Sequence, residues 1–145
     1  MPLPPPPRIL FVCIGNACRS QMAEGLARHL GGAAVEAFSA GSRPAGFVAA
    51  GAIEAMKEIG IDISRQASKS VESFRGQDFD AVVTMGCGDA CPWVPAKRRL
   101  DWKIPDPIGQ SPEFFRRVRD QIEGLIRDLL ADIKIVDRGP PGELE

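Results

Sequence analysis

The chain has 145 residues and a formal net charge of −1, with 18 basic and 19 acidic side chains. Its length suits one domain with a substantial core, and its charge provides no global basic field for nucleic acid. Hydrophobic residues make up 44% of the chain, which is ordinary for a soluble protein, and no apolar run is long enough to span a membrane. We therefore expect one soluble domain whose partners include neither nucleic acid nor a membrane.

Strand-like and helix-like segments alternate along the chain. Strands are predicted at Arg8–Val12, Val35–Ser39, Asp80–Met85 and, faintly, within Arg99–Ile104. Helices are predicted from Ser20 to Leu30, from Phe47 to Ile59, and from Ser111 to about Ala131. Because alternating strands and helices are typical of crossover units, the pattern predicts a parallel sheet with helices on both faces.

The two ends of the chain are predicted to lie outside this domain. Residues 1–7 contain Pro2 and Pro4 to Pro7, which favour a stiff extended lead-in. Residues 138–145 contain the run Gly139-Pro-Pro-Gly142 and are predicted to form a frayed tail. Residues 8–137 are then the domain.

The segment Val12-Cys-Ile-Gly-Asn-Ala-Cys-Arg-Ser20 lies between the first predicted strand and the first predicted helix. In such a strand-to-helix turn, the N–H groups of the loop and of the helix start can point inward and attract an anion. The same positive potential favours the thiolate form of a cysteine, here Cys13. Arg19 adds a planar guanidinium that can hold two oxygens of a phosphate-like group.

The other residues of this loop suit the same purpose. Gly15 and Asn16 are residue types that tolerate left-handed backbone conformations, and the Ser20 hydroxyl can donate to the Cys13 sulfur. The alternative is a buried cysteine at a strand end, followed by an ordinary helical arginine. We favour an oxyanion site formed by Ile14, Gly15, Asn16, Ala17, Cys18, Arg19 and Ser20.

Together with motifs further along the chain, this loop makes the sequence resemble the low-molecular-weight protein tyrosine phosphatase superfamily and, within it, the arsenate reductases. The motifs shared with the whole superfamily are Cys13–Ser20, Ser39–Gly41 and Ile104–Pro107. The motifs that resemble the reductases are Arg19–Gly25, Ala52–Ser64 and Val83–Pro92. The resemblance implies a single-domain, three-layer α/β/α fold whose four parallel strands have the order 2-1-3-4.

For the reductases, the resemblance implies a thiol relay. The Cys13 thiolate attacks arsenate held by the loop and Arg19, and Asp106, which matches the superfamily's general acid, protonates the departing oxygen. Cys87 then attacks the Cys13 sulfur, arsenite leaves, and Cys91 attacks Cys87 so that thioredoxin can reduce the resulting disulfide. Phosphate is expected to compete with arsenate. Without the resemblance, Asp106 would be interpreted as a turn residue before a proline.

The three-residue spacing between Cys87 and Cys91 leaves the last step open. On a helix such a pair has Cα atoms about 6 Å apart, at the upper end of disulfide geometry, although neighbouring glycines can loosen the segment. If Cys91 does not attack Cys87, a small thiol such as glutathione or mycothiol would take its place. Zinc binding is a further alternative, although the sequence lacks a second paired motif. Its candidate ligands are Cys13, Cys18, Cys87, Cys91 and His29.

The resemblance also assigns residues that support the loop. Some reductases of the superfamily bind potassium at positions that match Asn16, Glu24 and Ser39, together with an acidic residue that is replaced here by Lys69. The Lys69 ammonium can occupy that place and neutralise Glu24. We therefore predict no need for potassium, no other metal and no organic cofactor.

The number of cysteines indicates the cellular compartment in which the protein works. Four cysteines and no recognisable signal peptide indicate a reducing cytosol, and we expect a cytoplasmic monomer.

Cys18 has two interpretations. It either guards Cys13 by reversible disulfide formation, as the second loop thiol does in related phosphatases, or it is a small apolar packing residue.

Two functions other than arsenate reduction stay open at this point. Hydrolysis of phosphomonoesters, above all of phosphotyrosine, would use the same Cys13, Arg19 and Asp106 through a phosphocysteine intermediate. The chain contains no tyrosine, and Ile108 stands close to where phosphatases of the superfamily commonly present an aromatic hydroxyl group, which favours the reductase. The third function is a sensor or adaptor that binds an oxyanion without turnover.

Overall fold

The computed structural model describes residues 5–86 and 94–138. In these ranges the strands are β1 (Arg8–Cys13), β2 (Glu36–Gly41), β3 (Phe79–Thr84) and β4 (Ala96–Asp101). The α-helices are α1 (Arg19–Gly31), α2 (Ala50–Lys57) and α3 (Pro112–Arg138). Short 3-10 helices span Gly32–Ala34 and Val71–Phe74.

The strands form one parallel sheet in the order β2-β1-β3-β4, which confirms the predicted fold class. The central strands β1 and β3 are buried on both faces, which explains their continuous apolar sequences. Because the strands run in one direction, Cys13, Thr84 and Asp101 lie at the same edge of the sheet, where each ends its strand. The loops that follow these residues can therefore share one site.

The larger core lies between one face of the sheet and the α-helices. Ile9 and Phe11 of β1 and Val83 of β3 contribute from the sheet. Each helix contributes an apolar stripe at helical spacing, as the sequence predicts. The buried residues of these stripes include Met22 and Leu26 of α1, Ala52 and Met56 of α2, and Phe115, Val118, Ile122, Ile126 and Leu129 of α3.

The opposite face of the sheet carries a smaller core. Val12 packs here within a cluster that includes the 3-10 helix Val71–Phe74. The rings of Phe38, Phe74 and Phe79 meet edge to face with centroids 5.6 to 5.9 Å apart, a preferred aromatic geometry. Among the residues that the structure describes, this single 3-10 helix is the helical layer on the second face.

The fourth strand lies further towards the amino terminus than the sequence indicates. The prediction was Arg99–Ile104, whereas β4 spans Ala96–Asp101. The run Lys97-Arg-Arg99 resembles a solvated loop because it is charged, but an edge strand exposes alternate side chains and tolerates such residues. Pairing with β3, from Phe79 opposite Ala96 to Thr84 opposite Asp101, sets the position of the strand.

The ends of two helices also differ from the prediction. α2 begins at Ala50 instead of Phe47, because residues 42–49 hydrogen-bond to the loop after β1. α3 continues past Ala131 to Arg138, since residues 132–138 contain neither glycine nor proline. No helix in the described ranges is both long and apolar enough to cross a bilayer.

Two helical glycines are expected to respond in opposite ways to replacement by alanine. A Cβ at Gly51 would lie 2.5 Å from the Phe115 ring, so Gly51→Ala should lower the free energy of unfolding by roughly 1–3 kcal/mol through overpacking. A Cβ at Gly124 would meet nothing within 4 Å, so Gly124→Ala should raise that free energy by about 0.5–1 kcal/mol. Urea unfolding measures both changes. A stabilised Gly51→Ala variant would contradict the close packing of α2 on α3.

Candidate active site

The loop after β1 curls around the sulfur of Cys13. Cys13 is the last residue of the strand and is 2% exposed. Asn16 adopts φ 48°, in the left-handed region, and its backbone N–H lies 3.2 Å from Cys13 Sγ. Gly15, which the sequence also offers for a left-handed turn, does not adopt a positive φ. The turn at Asn16 thus directs a hydrogen-bond donor at the thiol.

Every backbone carbonyl of this loop, from Cys13 to Cys18, accepts a hydrogen bond. Five of these carbonyls accept from backbone N–H groups at 2.8 to 3.3 Å, and the carbonyl of Asn16 accepts from a glutamine side chain at 2.9 Å. In chain order, the donors belong to Ser42, Arg43, Ala45, Gln21, Ala49 and Met22. The C=O and N–H of a trans peptide point in opposite directions. Holding the carbonyls outward therefore directs the N–H groups of these peptides to the inner side of the loop, where that of Asn16 reaches the Cys13 sulfur.

A serine hydroxyl completes the contacts of the Cys13 sulfur. Ser20 Oγ lies 2.9 Å from Cys13 Sγ and accepts a hydrogen bond from Asn16 Nδ2 at 2.8 Å. The orientation of this amide is set by its other end, because Asn16 Oδ1 accepts the Lys69 backbone N–H at 2.8 Å. Because the Ser20 oxygen accepts from Asn16, its own hydrogen is available to be donated to the sulfur. Such a hydrogen bond favours the thiolate.

Arg19 begins α1 and is 5% exposed. Its Nη1 donates to the carbonyls of Met85 and Ile104 at 2.7 and 3.1 Å, which follow β3 and β4. Its Nε is buried and has no hydrogen-bond partner among the described residues. An unpaired buried donor is costly. The Nε edge of the guanidinium is therefore suited to donate to a negatively charged oxygen of a ligand. This is the role that the sequence predicts for Arg19.

Asp106 reaches the same place from the loop after β4. Its Oδ1 accepts the Ile108 N–H at 3.1 Å, and its Oδ2 lies 3.7 Å from Arg19 Nη2. The side chain is 48% exposed. Asp106 therefore makes the turn expected of an aspartate before a proline and also faces the loop. The two interpretations of this residue are compatible.

The second thiol of the loop has a different environment. Cys18 is 3% exposed and makes no disulfide with Cys13. Burial raises the pKa of the Cys18 thiol to about 12; the charges of Asp106 and Cys13 act in the same sense, and Arg19 opposes them. A thiol that keeps its proton is a poor nucleophile, which favours the packing interpretation of Cys18.

The residues predicted to support the loop form a charged cluster around a buried carboxylate, that of Glu24. Glu24 is 2% exposed, accepts a hydrogen bond from the Ser39 hydroxyl and pairs with Arg28 at 2.7 Å. Lys69 Nζ lies 3.8 Å from Glu24 and donates to the Ala67 carbonyl at 2.8 Å. Burial lowers the pKa of the Lys69 ammonium, an effect that Glu24 opposes and Arg28 reinforces. Two cations from the chain itself thus face the Glu24 carboxylate.

Gln21 is a part of the site that the sequence prediction missed. It is fully buried, and its Nε2 donates at 2.9 Å to the carbonyls of both Asn16 and Ala67. Its Oε1 accepts from Gln66 Nε2 at 2.8 Å. The side chain therefore ties the loop to the segment after α2. The signal in the sequence is a glutamine directly before Met22, at the start of the buried stripe of α1.

Two glycines allow the loop and the arginine to approach the sheet closely. A Cβ at Gly41 would lie 2.6 Å from the Ile14 carbonyl oxygen. A Cβ at Gly86 would lie 2.6 Å from Arg19 Nη1, and Gly86 also has a positive φ of 79°. Both could have been recognised in the sequence by their position, because each stands at or just past the carboxyl end of a strand.

The predicted resolving cysteines, Cys87 and Cys91, lie outside the described residues. The structure therefore does not test their distance from Cys13 or from each other, nor the zinc alternative that includes them. In the ranges that the structure does describe, no three His, Cys, Asp or Glu side chains are grouped to hold a metal.

A cavity of about 310 Å³ opens above the loop. The buried side chains of Cys13 and Arg19 form its floor, and Gly15 and the exposed Asp106 also line it. Asn16 and Ser20 do not line it; they are fully buried behind the loop and hold its conformation. The arrangement combines a thiol, inward N–H groups, a guanidinium edge and a carboxyl group, which together can bind and attack a tetrahedral oxyanion.

Comparison with known proteins matches the chain to a phosphatase family model and to arsenate reductases. The family model for low molecular weight phosphotyrosine protein phosphatase matches residues 8–138. The glutaredoxin arsenate reductase of Synechocystis is 43% identical over 129 residues, which cover 87% of this chain and 98% of that protein.

Solved structures of similar proteins superpose over most of the chain. A structure of an arsenate reductase in the phosphate binding state has a TM-score of 0.81 and 43% identity, and covers 88% of this chain and 98% of its own. The thioredoxin-dependent arsenate reductase of Corynebacterium glutamicum has a TM-score of 0.75 and 37% identity, with 91% of this chain and 64% of that one covered.

The link made by Gln21 is expected to matter for oxyanion binding. Gln21→Met keeps the length of the side chain but leaves the Asn16 carbonyl unpaired, while the Ala67 carbonyl keeps its bond from Lys69. The loss should lower the free energy of unfolding by about 1–3 kcal/mol. It should also weaken the binding of inorganic phosphate, because the peptide after Asn16 loses its anchor. Gln66→Met is the matched control, since Gln66 contacts Gln21 and not the loop. Equal phosphate affinities in the two variants, measured by calorimetric titration, would argue against this role.

The buried Cys18 thiol predicts a pH effect on stability. Above pH 9 the unfolded chain loses the Cys18 proton, whereas the folded chain keeps it until about pH 12. Deprotonation then favours the unfolded state, so the contribution of Cys18 to stability is present below pH 9 and is lost as the pH rises through this window. Urea unfolding between pH 8 and pH 10 should show a smaller decline for Cys18→Ala than for the parent protein. Parallel declines would show that Cys18 ionises as readily in the fold as outside it.

Proposed function

The chain belongs to the low molecular weight phosphotyrosine protein phosphatase family, and we propose that it reduces arsenate to arsenite through a relay of cysteine thiols. The observation that carries the proposal is the buried Cys13 thiol, enclosed by a loop whose carbonyls are all engaged elsewhere. The similarity to named arsenate reductases over most of the chain supports this function.

Binding of arsenate is the first step. Arsenate is a tetrahedral oxyanion, and the N–H groups of residues 14–19 and the helix start supply donors around its oxygens. Arg19 Nε, which has no hydrogen-bond partner among the described residues, supplies a further charged donor to the cavity. Inorganic phosphate has the same shape and charge and is expected to compete.

Attack by Cys13 is the second step. The Asn16 N–H and the Ser20 hydroxyl stabilise the thiolate, which forms a bond to arsenic. One arsenic-bound oxygen leaves as water, with a proton supplied by Asp106 at the open side of the cavity. The product of this step is a Cys13–arsenic adduct held by the loop and Arg19.

Electron transfer is the third step. The Cys87 thiolate attacks the Cys13 sulfur, a disulfide bond forms, and the sulfur–arsenic bond breaks with its electron pair on arsenic. Arsenic passes from As(V) to As(III) and leaves as arsenite. Cys91 then attacks Cys87, which frees Cys13 and leaves a Cys87–Cys91 disulfide.

The reductant that reopens this disulfide is proposed to be thioredoxin. The thioredoxin-dependent relative from Corynebacterium supports that choice, whereas the name of the Synechocystis relative points to glutaredoxin. Glutathione or mycothiol would be the donor if Cys91 does not resolve Cys87. We propose that the protein works as a cytoplasmic monomer, since the relay needs a reducing compartment.

Hydrolysis of phosphomonoesters is the second candidate function, and it is compatible with the family to which the chain belongs. It would use Cys13, Arg19 and Asp106 to form a phosphocysteine, which water then hydrolyses. The two further cysteines have no part in this reaction. The experiment below separates the two functions by that difference.

The test is arsenite production by the full chain with thioredoxin, thioredoxin reductase and NADPH. Cys91→Ser should release about one arsenite per protein and then stop, because its Cys13–Cys87 disulfide is not passed on. Cys87→Ser and Cys13→Ser should release none. Asp106→Asn should slow the reaction by roughly 10²- to 10⁴-fold.

Hydrolysis of p-nitrophenyl phosphate is the control for folding. Cys87→Ser and Cys91→Ser should keep whatever hydrolysis the parent protein shows, whereas Cys13→Ser should lose it. If Cys91→Ser turns over with glutathione alone, the proposed reductase function stands, but Cys91 has no part in the relay. Absence of arsenite with every donor, together with rapid hydrolysis, would reject the reductase in favour of the phosphatase.

A further inference from the structure

The mouth of the cavity is apolar, in contrast to its floor. Among the described residues, the large hydrophobic side chains that are exposed are Ile14, Phe47 and Ile108, at 39%, 56% and 48%. All three line the cavity that contains Cys13. Exposed apolar groups gathered at one place indicate a binding surface more often than scattered ones do.

These three side chains come from separate segments that are tied to the oxyanion loop. Ile14 belongs to the loop itself. Phe47 lies in the segment after β2, which hydrogen-bonds to the loop through Ala45 N–H and the Gly15 carbonyl at 2.8 Å. Ile108 lies two residues past Asp106, and its N–H donates to that carboxyl at 3.1 Å. The apolar mouth is thus held in a defined position relative to Cys13.

The cavity is larger than an inorganic oxyanion requires. The cavity measures about 310 Å³, whereas arsenate or phosphate has only four oxygens around one central atom. The oxyanion would occupy the floor beside Cys13 and Arg19. The remaining space lies between apolar side chains, which suits an organic substituent on the oxyanion.

We propose that the protein also binds oxyanions that carry one apolar substituent, and that it reduces arylarsonates such as phenylarsonate to arylarsonous acids. This inference rests on the proposed reductase function for its chemistry and on the apolar mouth for its specificity. The arsonate group would lie on the loop, as arsenate does. The aryl ring would lie between Phe47 and Ile108, which offer apolar contact and no hydrogen-bonding side chain.

The reaction balances in the same way as that of arsenate. Cys13 sulfur bonds to arsenic while one arsenic-bound oxygen leaves as water. Cys87 attacks the Cys13 sulfur, the sulfur–arsenic bond breaks, and its electron pair stays on arsenic. The two thiols supply both electrons and form one disulfide, which the same thiol donor reduces. The carbon–arsenic bond is neither formed nor broken.

The binding part of the proposal is tested with phosphonates, which the protein cannot reduce and whose carbon–phosphorus bond is not a hydrolysable ester. Calorimetric titration of the full chain compares phenylphosphonate with methylphosphonate. We expect phenylphosphonate to bind about tenfold more tightly, equivalent to roughly 1.4 kcal/mol. Phe47→Ser should remove most of that preference. Phe114→Ser is the matched control, because Phe114 lies on α3 and does not line the cavity.

The chemical part is tested by incubating phenylarsonate with the protein and its thiol donor, and by chromatographic detection of phenylarsonous acid. Product that depends on Cys13 and forms more slowly in Phe47→Ser supports the proposal. Equal affinity for the two phosphonates, or tight phenylphosphonate binding without any reduced product, overturns it. If arsenate itself is not reduced while the Phe47-dependent preference persists, the reductase function has failed and the apolar specificity of the mouth stands.

Discussion

The hydrogen bonding of six consecutive loop carbonyls is the constraint on which the site depends. A loop of this length has many accessible conformations, and any that directed carbonyl oxygens at the thiol would repel an anion. Donors from residues 42–49, from Gln21 and from the first turn of α1 remove that freedom. The N–H groups are then oriented before any ligand arrives, so no free energy of binding is needed to organise them.

Arg19 connects this loop to the rest of the sheet. One guanidinium nitrogen is held by carbonyls that follow β3 and β4, and the opposite edge is left for a ligand. That division works only because Gly86 has no side chain where the guanidinium approaches. The parallel sheet supplies the geometry, since it places the ends of β1, β3 and β4 side by side. Asp106 arrives at the same edge from the loop after β4.

Two cysteines of one loop show how strongly local contacts decide reactivity. Cys13 receives an N–H and a hydroxyl, the donors that a thiolate needs. Cys18 is equally inaccessible, but burial and neighbouring negative charge raise its pKa to about 12 and keep its proton in place. The same contrast separates the floor of the cavity from its mouth. Cys13, Arg19 and Asp106 line the cavity together with the exposed apolar side chains of Ile14, Phe47 and Ile108.

The sequence by itself determined the loop between strand and helix and the order of the strands, and it predicted Cys13 and Arg19 as the reactive pair, because these features lie in contiguous motifs or in a recognisable family pattern. It misplaced β4, whose charged residues resemble a loop until pairing with β3 is known. Only the tertiary structure decided the direction in which Arg19 points, the link through Gln21 and the apolar mouth. The reason is sequence separation: Arg19 meets partners 66 and 85 residues away, and no local pattern encodes such contacts.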